Sequence, residues 1–123
     1  MKIVNLLFIL NQLRIFHWQT KSFAQHEAFG KIYDSLEDLT DTFVEVFIGK
    51  HGRTFSLNKS YDLQLHDYSD EKVGEFLEKT INYLTSDLLP EGQFSPATNS
   101  DLLNIRDEML AQVNKLKYLL TLK

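Results

Sequence analysis

Apolar residues return every three or four positions along most of the chain, and only two prolines interrupt that period, so the sequence has little choice but to form helices. Five glycines, with 43% hydrophobic and 24% charged residues, suit a globular helical chain and fall short of the turn chemistry that an all-β fold needs. At 123 residues there is room for one core, so a single domain over 1–123 is expected.

From Lys2 to about Thr20, Ile3, Leu6, Leu10, Leu13 and His17 keep helical steps, while Asn5, Asn11, Gln12 and Arg14 fall largely elsewhere. This first helix is more apolar than an ordinary surface helix. Ser22-Phe23-Ala24-Gln25 reads as a capping box, with Ser22 accepting from the Gln25 amide and the Gln25 side chain reaching back, which starts a second helix near Phe23. Its stripe is Phe29, Ile32, Tyr33, Leu36, Leu39, Phe43, Val46 and Phe47; Asp34, Glu37, Asp38, Asp41 and Glu45 lie opposite, and Gly49 and Gly52 end it. Arg53 to Tyr68 has no sustained period and reads as a long crossover, with room for a short helical turn, that lets the next helix run parallel to the second. Ser69 or Asp70 caps a third helix carrying Val73, Phe76, Leu77, Ile81, Leu84 and Leu88, which Pro90 and Gly92 stop. Pro96 to Ser100 opens a fourth, with Leu102, Ile105, Met109, Val113, Leu116 and Leu120 as its buried row. Short, long and short connections give the expected fold: all-α, a ferritin-like four-helix bundle with a long crossover between the second and third helices.

Composition removes several kinds of chemistry. There is no cysteine, which excludes disulfides, thiolate zinc, iron–sulfur clusters and cysteine nucleophiles, so any metal must use His, Asp and Glu. A formal net charge of −4 and the lack of a basic arm make nucleic-acid binding unexpected. Asn5, Asn11 and Gln12 interrupt the apolar start, no small-residue cleavage site follows, and the run is too short to span a bilayer. A cytoplasmic protein without membrane contact is expected.

The candidate ligands are His17, His26, Asp41 and Glu45. In an antiparallel hairpin His17 and His26 lie at one end, while Asp41 and Glu45 are an i, i+4 pair whose carboxylates can reach one cation. His26 and Asp41 are fifteen residues apart on one helix, roughly 22 Å at ~1.5 Å per residue, so one chain cannot bring all four together. An antiparallel two-fold dimer can, by setting the histidine end of one chain against the carboxylate end of the other.

The run His17-Trp18-Gln19-Thr20-Lys21, then His26-Glu27, then Asp41-Thr42-Phe43-Val44-Glu45 resembles the ferroxidase signature of the Dps-like branch of the ferritin-like family, and the stretch from Leu102 to Leu120 is similar to its last helix. The resemblance implies His17 and His26 as imidazole ligands from one subunit and Asp41 and Glu45 as carboxylate ligands from the other. It further implies ferrous iron oxidised by peroxide or oxygen and stored as ferric mineral in a larger spherical oligomer. Zinc or manganese would also suit imidazole with carboxylate. The chain departs from the pattern at Gly30, where the family has an Asp one turn after the second histidine; Asp34, a turn further, is the candidate substitute. The basic extension with which many such proteins bind DNA is missing as well.

Taken singly, these residues also have plainer roles. Histidines at helix ends cap or sit at the surface, acids on a helix are a solvated face, and Trp18 is an interface or core anchor. His51 and His66 read as surface residues, and Lys115 and Lys117 meet the fourth helix's dipole. A rival reading follows, in which a metal-free structural or assembly protein of viral type keeps only the helical shape and its oligomer interface.

Overall fold

A computed structural model describes residues 3–53 and 56–122; the expected helix start at Lys2 and residues 54 and 55 of the crossover lie outside them. The described residues form four α-helices and no strand: α1 Ile3–Gln19, α2 Phe23–His51, α3 Asp70–Asn82 and α4 Pro96–Leu119. α2 packs against both α1 and α4, and α3 packs against α4. Phe8 and Phe16 of α1 meet Phe76 of α3 edge-on or tilted, with ring centroids 6.4 and 5.6 Å apart. Phe16 lies near Tyr68 just ahead of α3, whereas Asn5 lines a cleft with Tyr83 just beyond its end, so α1 and α3 run antiparallel. α2, antiparallel to α1, therefore runs parallel to α3, as the crossover length allows.

Leu13, Phe16, Phe29, Ile32, Phe43, Leu102 and Met109 are at the centre of one core fed by all four helices. Burying such a side chain contributes about 1.5–3 kcal/mol each, which is why tertiary packing rather than helix propensity holds these helices. Gln12 is an exception to the sequence reading. It is fully buried, three residues after Ile9 and four before Phe16, so it lies on the core face rather than away from it.

Helix ends follow local chemistry, with two differences from expectation. Ser22 accepts from the Gln25 amide (3.3 Å), but the Gln25 side chain does not complete the capping box; its Oε1 accepts instead from the hydroxyls of Thr20 (2.8 Å) and Tyr68 (2.7 Å). The third helix does not continue regularly to Leu88. Tyr83–Asp87 forms a π-helical turn, closed by Leu88 N–H donating to the Tyr83 carbonyl. There the Thr85 hydroxyl donates back to the Ile81 and Asn82 carbonyls, and Arg106 of α4 donates to the Leu84 carbonyl. The wider turn lets Leu84, Leu88 and Leu89 all reach the core. No helix lies between His51 and Asp70 among the described residues, and no described helix is long and apolar enough to cross a membrane.

Candidate functional site at the helical hairpin

The tight connection Thr20-Lys21-Ser22 folds α2 back on α1 and places His17, in the last turn of α1, beside His26, in the first turn of α2. The two rings stack, with centroids 3.9 Å apart and planes within 16° of parallel. Each is tied to the other's backbone: His17 Nδ1–H donates to the His26 carbonyl (2.7 Å) and His26 Nδ1–H to the His17 carbonyl (2.8 Å). A carbonyl can only accept, so both rings carry their proton on Nδ1. The pair thus joins the two helices by two reciprocal hydrogen bonds and a ring stack.

Gly30 completes the arrangement. It lies one turn after His26 on the same face of α2, and a Cβ there would come 2.8 Å from His17 Cε1 and 3.0 Å from its Nδ1. An ordinary carbon contact is about 3.5–4.0 Å, so any side chain at position 30 collides with the ring. The absence of a carboxylate at this position therefore has a packing cause: the space is taken by His17.

The other expected ligands lie elsewhere. Asp34, Asp41 and Glu45 are exposed on α2, and Asp41 is separated from His26 by fifteen residues of helix, roughly 22 Å. Among the described residues no group of three or more His, Asp or Glu side chains in one chain can hold a metal ion. The histidine pair by itself is poorly shaped for one as well. Imidazole lone pairs lie in the ring planes, and two nearly parallel rings direct them side by side instead of toward a common point, so the stack would have to open.

On the outer side of the hairpin, Ile3, Leu7 and Leu10 of α1 and Glu37, Asp38, Thr40, Asp41 and Val44 of α2 line an open groove of about 580 Å³. At the turn end of the same face, the Arg14 guanidinium donates to the Tyr33 hydroxyl and lies over the rings of Tyr33 (4.6 Å) and Trp18 (5.8 Å). Trp18 is 64% exposed and Phe23 77% exposed, so neither is a core anchor.

Sequence reasoning did not anticipate the glutamines that hold the crossover. The buried Gln12 amide donates to the His66 carbonyl (2.9 Å) and accepts from the His66 amide (2.8 Å), pairing with backbone as a strand would. Gln19 holds the next stretch differently, donating to the Asp67 carboxylate (2.9 Å) and accepting from the Tyr68 backbone amide (2.6 Å). Their seven-residue spacing, two helical turns, was the available signal. The His66 side chain is exposed, and His51 packs its ring on Phe47 with centroids 4.7 Å apart. A cleft of about 260 Å³ lies between α1 and the π-helical turn, lined by Asn5, Phe8, Lys79, Tyr83 and Asp87. Burial, and secondarily the Asp87 carboxylate, push the Tyr83 hydroxyl up from its ordinary value.

Comparison with known proteins places most of this chain. Residues 17–120 match the model of a family of unknown function (DUF5856). A segment of 40 residues is 42% identical to an uncharacterized 14.6 kDa protein from the mobD-ri intergenic region of Enterobacteria phage T4. That alignment spans 32% of this chain and 31% of the phage protein. No solved structure matches. The expected membership of the Dps-like branch is therefore corrected, because the family whose model covers the chain is another one. Two histidines flanking a hairpin turn and an i, i+4 acid pair on a solvated face satisfied a short pattern. Within one chain the histidines join α1 to α2, and the two acids are exposed.

Proposed function

The chain belongs to the family of unknown function (DUF5856), and we propose that within it the protein is a metal-free helical assembly protein, of the kind a phage encodes, that works by binding rather than catalysis. The finer architecture we infer is a four-helix bundle with α2 and α3 parallel. One observation carries the functional reading: His17 and His26 use Nδ1 on each other's backbone carbonyls and stack face to face, so the residues best suited to chemistry are engaged in joining two helices. The acids that would complete a metal site within the chain stay solvated, and the outer face of the hairpin offers an apolar groove in their midst.

Ferrous titration followed by absorbance and metal analysis tests this, on wild type, His17→Ala and Glu45→Ala. The expected result is the same negligible iron content in all three. Stoichiometric iron in wild type that either substitution abolishes would overturn the metal-free reading.

A further inference from the structure

α1 is apolar nearly all round, and Arg14 is the one Lys, Arg, Asp or Glu in its length. Leu6, Ile9, Leu13 and Phe16 face the core, but a second row, Ile3, Leu7, Leu10, Arg14 and Trp18, runs down the other side at steps of three and four. A helix apolar on every side is normally covered on every side. In this chain, however, Leu7 is 42% and Trp18 64% exposed.

Charge along this face is divided. The turn end carries Arg14, Lys21 and Lys31 against Glu27 alone, whereas the stretch of α2 beside the apolar row's far end carries Asp34, Glu37, Asp38, Asp41 and Glu45 with no lysine or arginine. All five acids are exposed, and three of them edge the groove formed by Ile3, Leu7 and Leu10. A partner that fits must therefore be apolar along its middle, cationic at one end and acidic at the other. The face itself meets that description when turned end for end.

We propose that this face docks on a second copy of the chain in antiparallel, two-fold fashion, with Leu10 near the axis and the Arg14–Trp18 end of each chain over the acidic, Leu7-lined groove of the other. A parallel pairing would set five carboxylates against five. The proposal rests on the binding role proposed above and names its partner. It needs no metal, and it covers the second row of α1 while matching opposite charges.

Light scattering over a range of concentrations, with fluorescence of Trp18, the single tryptophan, gives the test. Wild type is expected at twice the 14.4 kDa of one chain, with Trp18 emission shifting to the blue and acrylamide quenching falling as the dimer forms. Leu7→Lys is expected to weaken association by roughly tenfold or more with unchanged helical circular dichroism, because it replaces an apolar contact by a cation beneath the Arg14 end of the other chain. The double substitution Glu37→Lys with Asp41→Lys separates the orientations: it weakens an antiparallel dimer by setting cation against cation, and strengthens a parallel one. A monomer at every concentration, a dimer whose Trp18 stays fully quenchable, or a dimer strengthened by the double substitution would each overturn the proposal. None of these outcomes alters the iron titration, so the metal-free reading stands or falls separately.

Discussion

Gly30→Ala ought to stabilise a helix, and in this protein it is expected to do the opposite. Gly30 lies inside α2, where replacing glycine by alanine ordinarily gains about 0.8–1 kcal/mol of helix propensity. The new methyl, however, would lie 2.8 Å from His17 Cε1. That ring already stacks on His26 at 3.9 Å and is tied through Nδ1, so it makes room only by leaving its place. Losing the hydrogen bond costs about 1 kcal/mol, and losing the stack about 0.5–1.5 kcal/mol. Disturbing the reciprocal bond from His26 adds up to about 1 kcal/mol. Set against the propensity gain, the net destabilisation is about 1–2 kcal/mol. For a chain of this length that lowers the thermal midpoint by about 4–8 °C. Once His17→Ala removes the ring, the same Gly30→Ala change has only its propensity effect and should raise the midpoint by about 3–4 °C. Thermal unfolding of the four proteins by circular dichroism measures the cycle, whose expected coupling is about 2–3 kcal/mol. If Gly30→Ala has the same sign and size with and without His17, the ring does not depend on the glycine and the account of the hairpin is wrong.

Gln12→Ala removes a fully buried side chain and leaves the His66 amide and carbonyl without their partner, so it should cost about 2–3 kcal/mol. Hydrogen exchange should then speed up at residues 66–68 more than in α4; a uniform change would mean that Gln12 does not hold the crossover. Tyr83 governs an alkaline effect. Its folded hydroxyl is pushed up by burial and by Asp87, so the unfolded chain, ionising near ~10, loses its proton first. The stability linked to Tyr83 is fully present below about pH 10 and is lost as pH rises toward the folded value. Tyr83→Phe should accordingly flatten the fall of the thermal midpoint between about pH 9 and 11, and an unchanged slope would rule this origin out.

Periodicity and punctuation made the helices legible. Gly52, Ser69, Pro90 and Pro96 lie at or near element ends, and their local chemistry acts whatever the tertiary structure. The π-helical turn was not legible, because it depends on the Thr85 hydroxyl and on Arg106 from another helix. Gln12 was misplaced for a related reason. A polar side chain on an apolar face looks like an interruption until the backbone it pairs with is known, and that backbone is 54 positions away. The histidines were legible as neighbours, since the short turn forces His17 and His26 together. Their role was not, because a motif gives residue types and spacing, whereas ring orientation and the collision at position 30 exist only in three dimensions.

The hairpin lock and the outer face are connected through α1 itself. Trp18 follows His17 directly, so the His17 ring, by holding the end of α1 against α2, also holds the stretch of backbone from which the exposed indole projects. Arg14, one turn earlier, is held by the Tyr33 hydroxyl and lies over both aromatic rings, which leaves the cationic end of the face with little rotamer freedom. Ordering a long side chain on binding costs about 0.5–1.5 kcal/mol, and here Arg14 is ordered before any partner arrives. Loosening the lock should therefore weaken association without touching a single interface side chain. Gly30→Ala, measured under conditions where it remains folded, is expected to shift the monomer–dimer balance toward monomer by several-fold, whereas Gln12→Ala, which acts on the opposite side of α1, should leave that balance unchanged. Equal effects of the two substitutions would mean that general stability, and not the histidine lock, sets the strength of association.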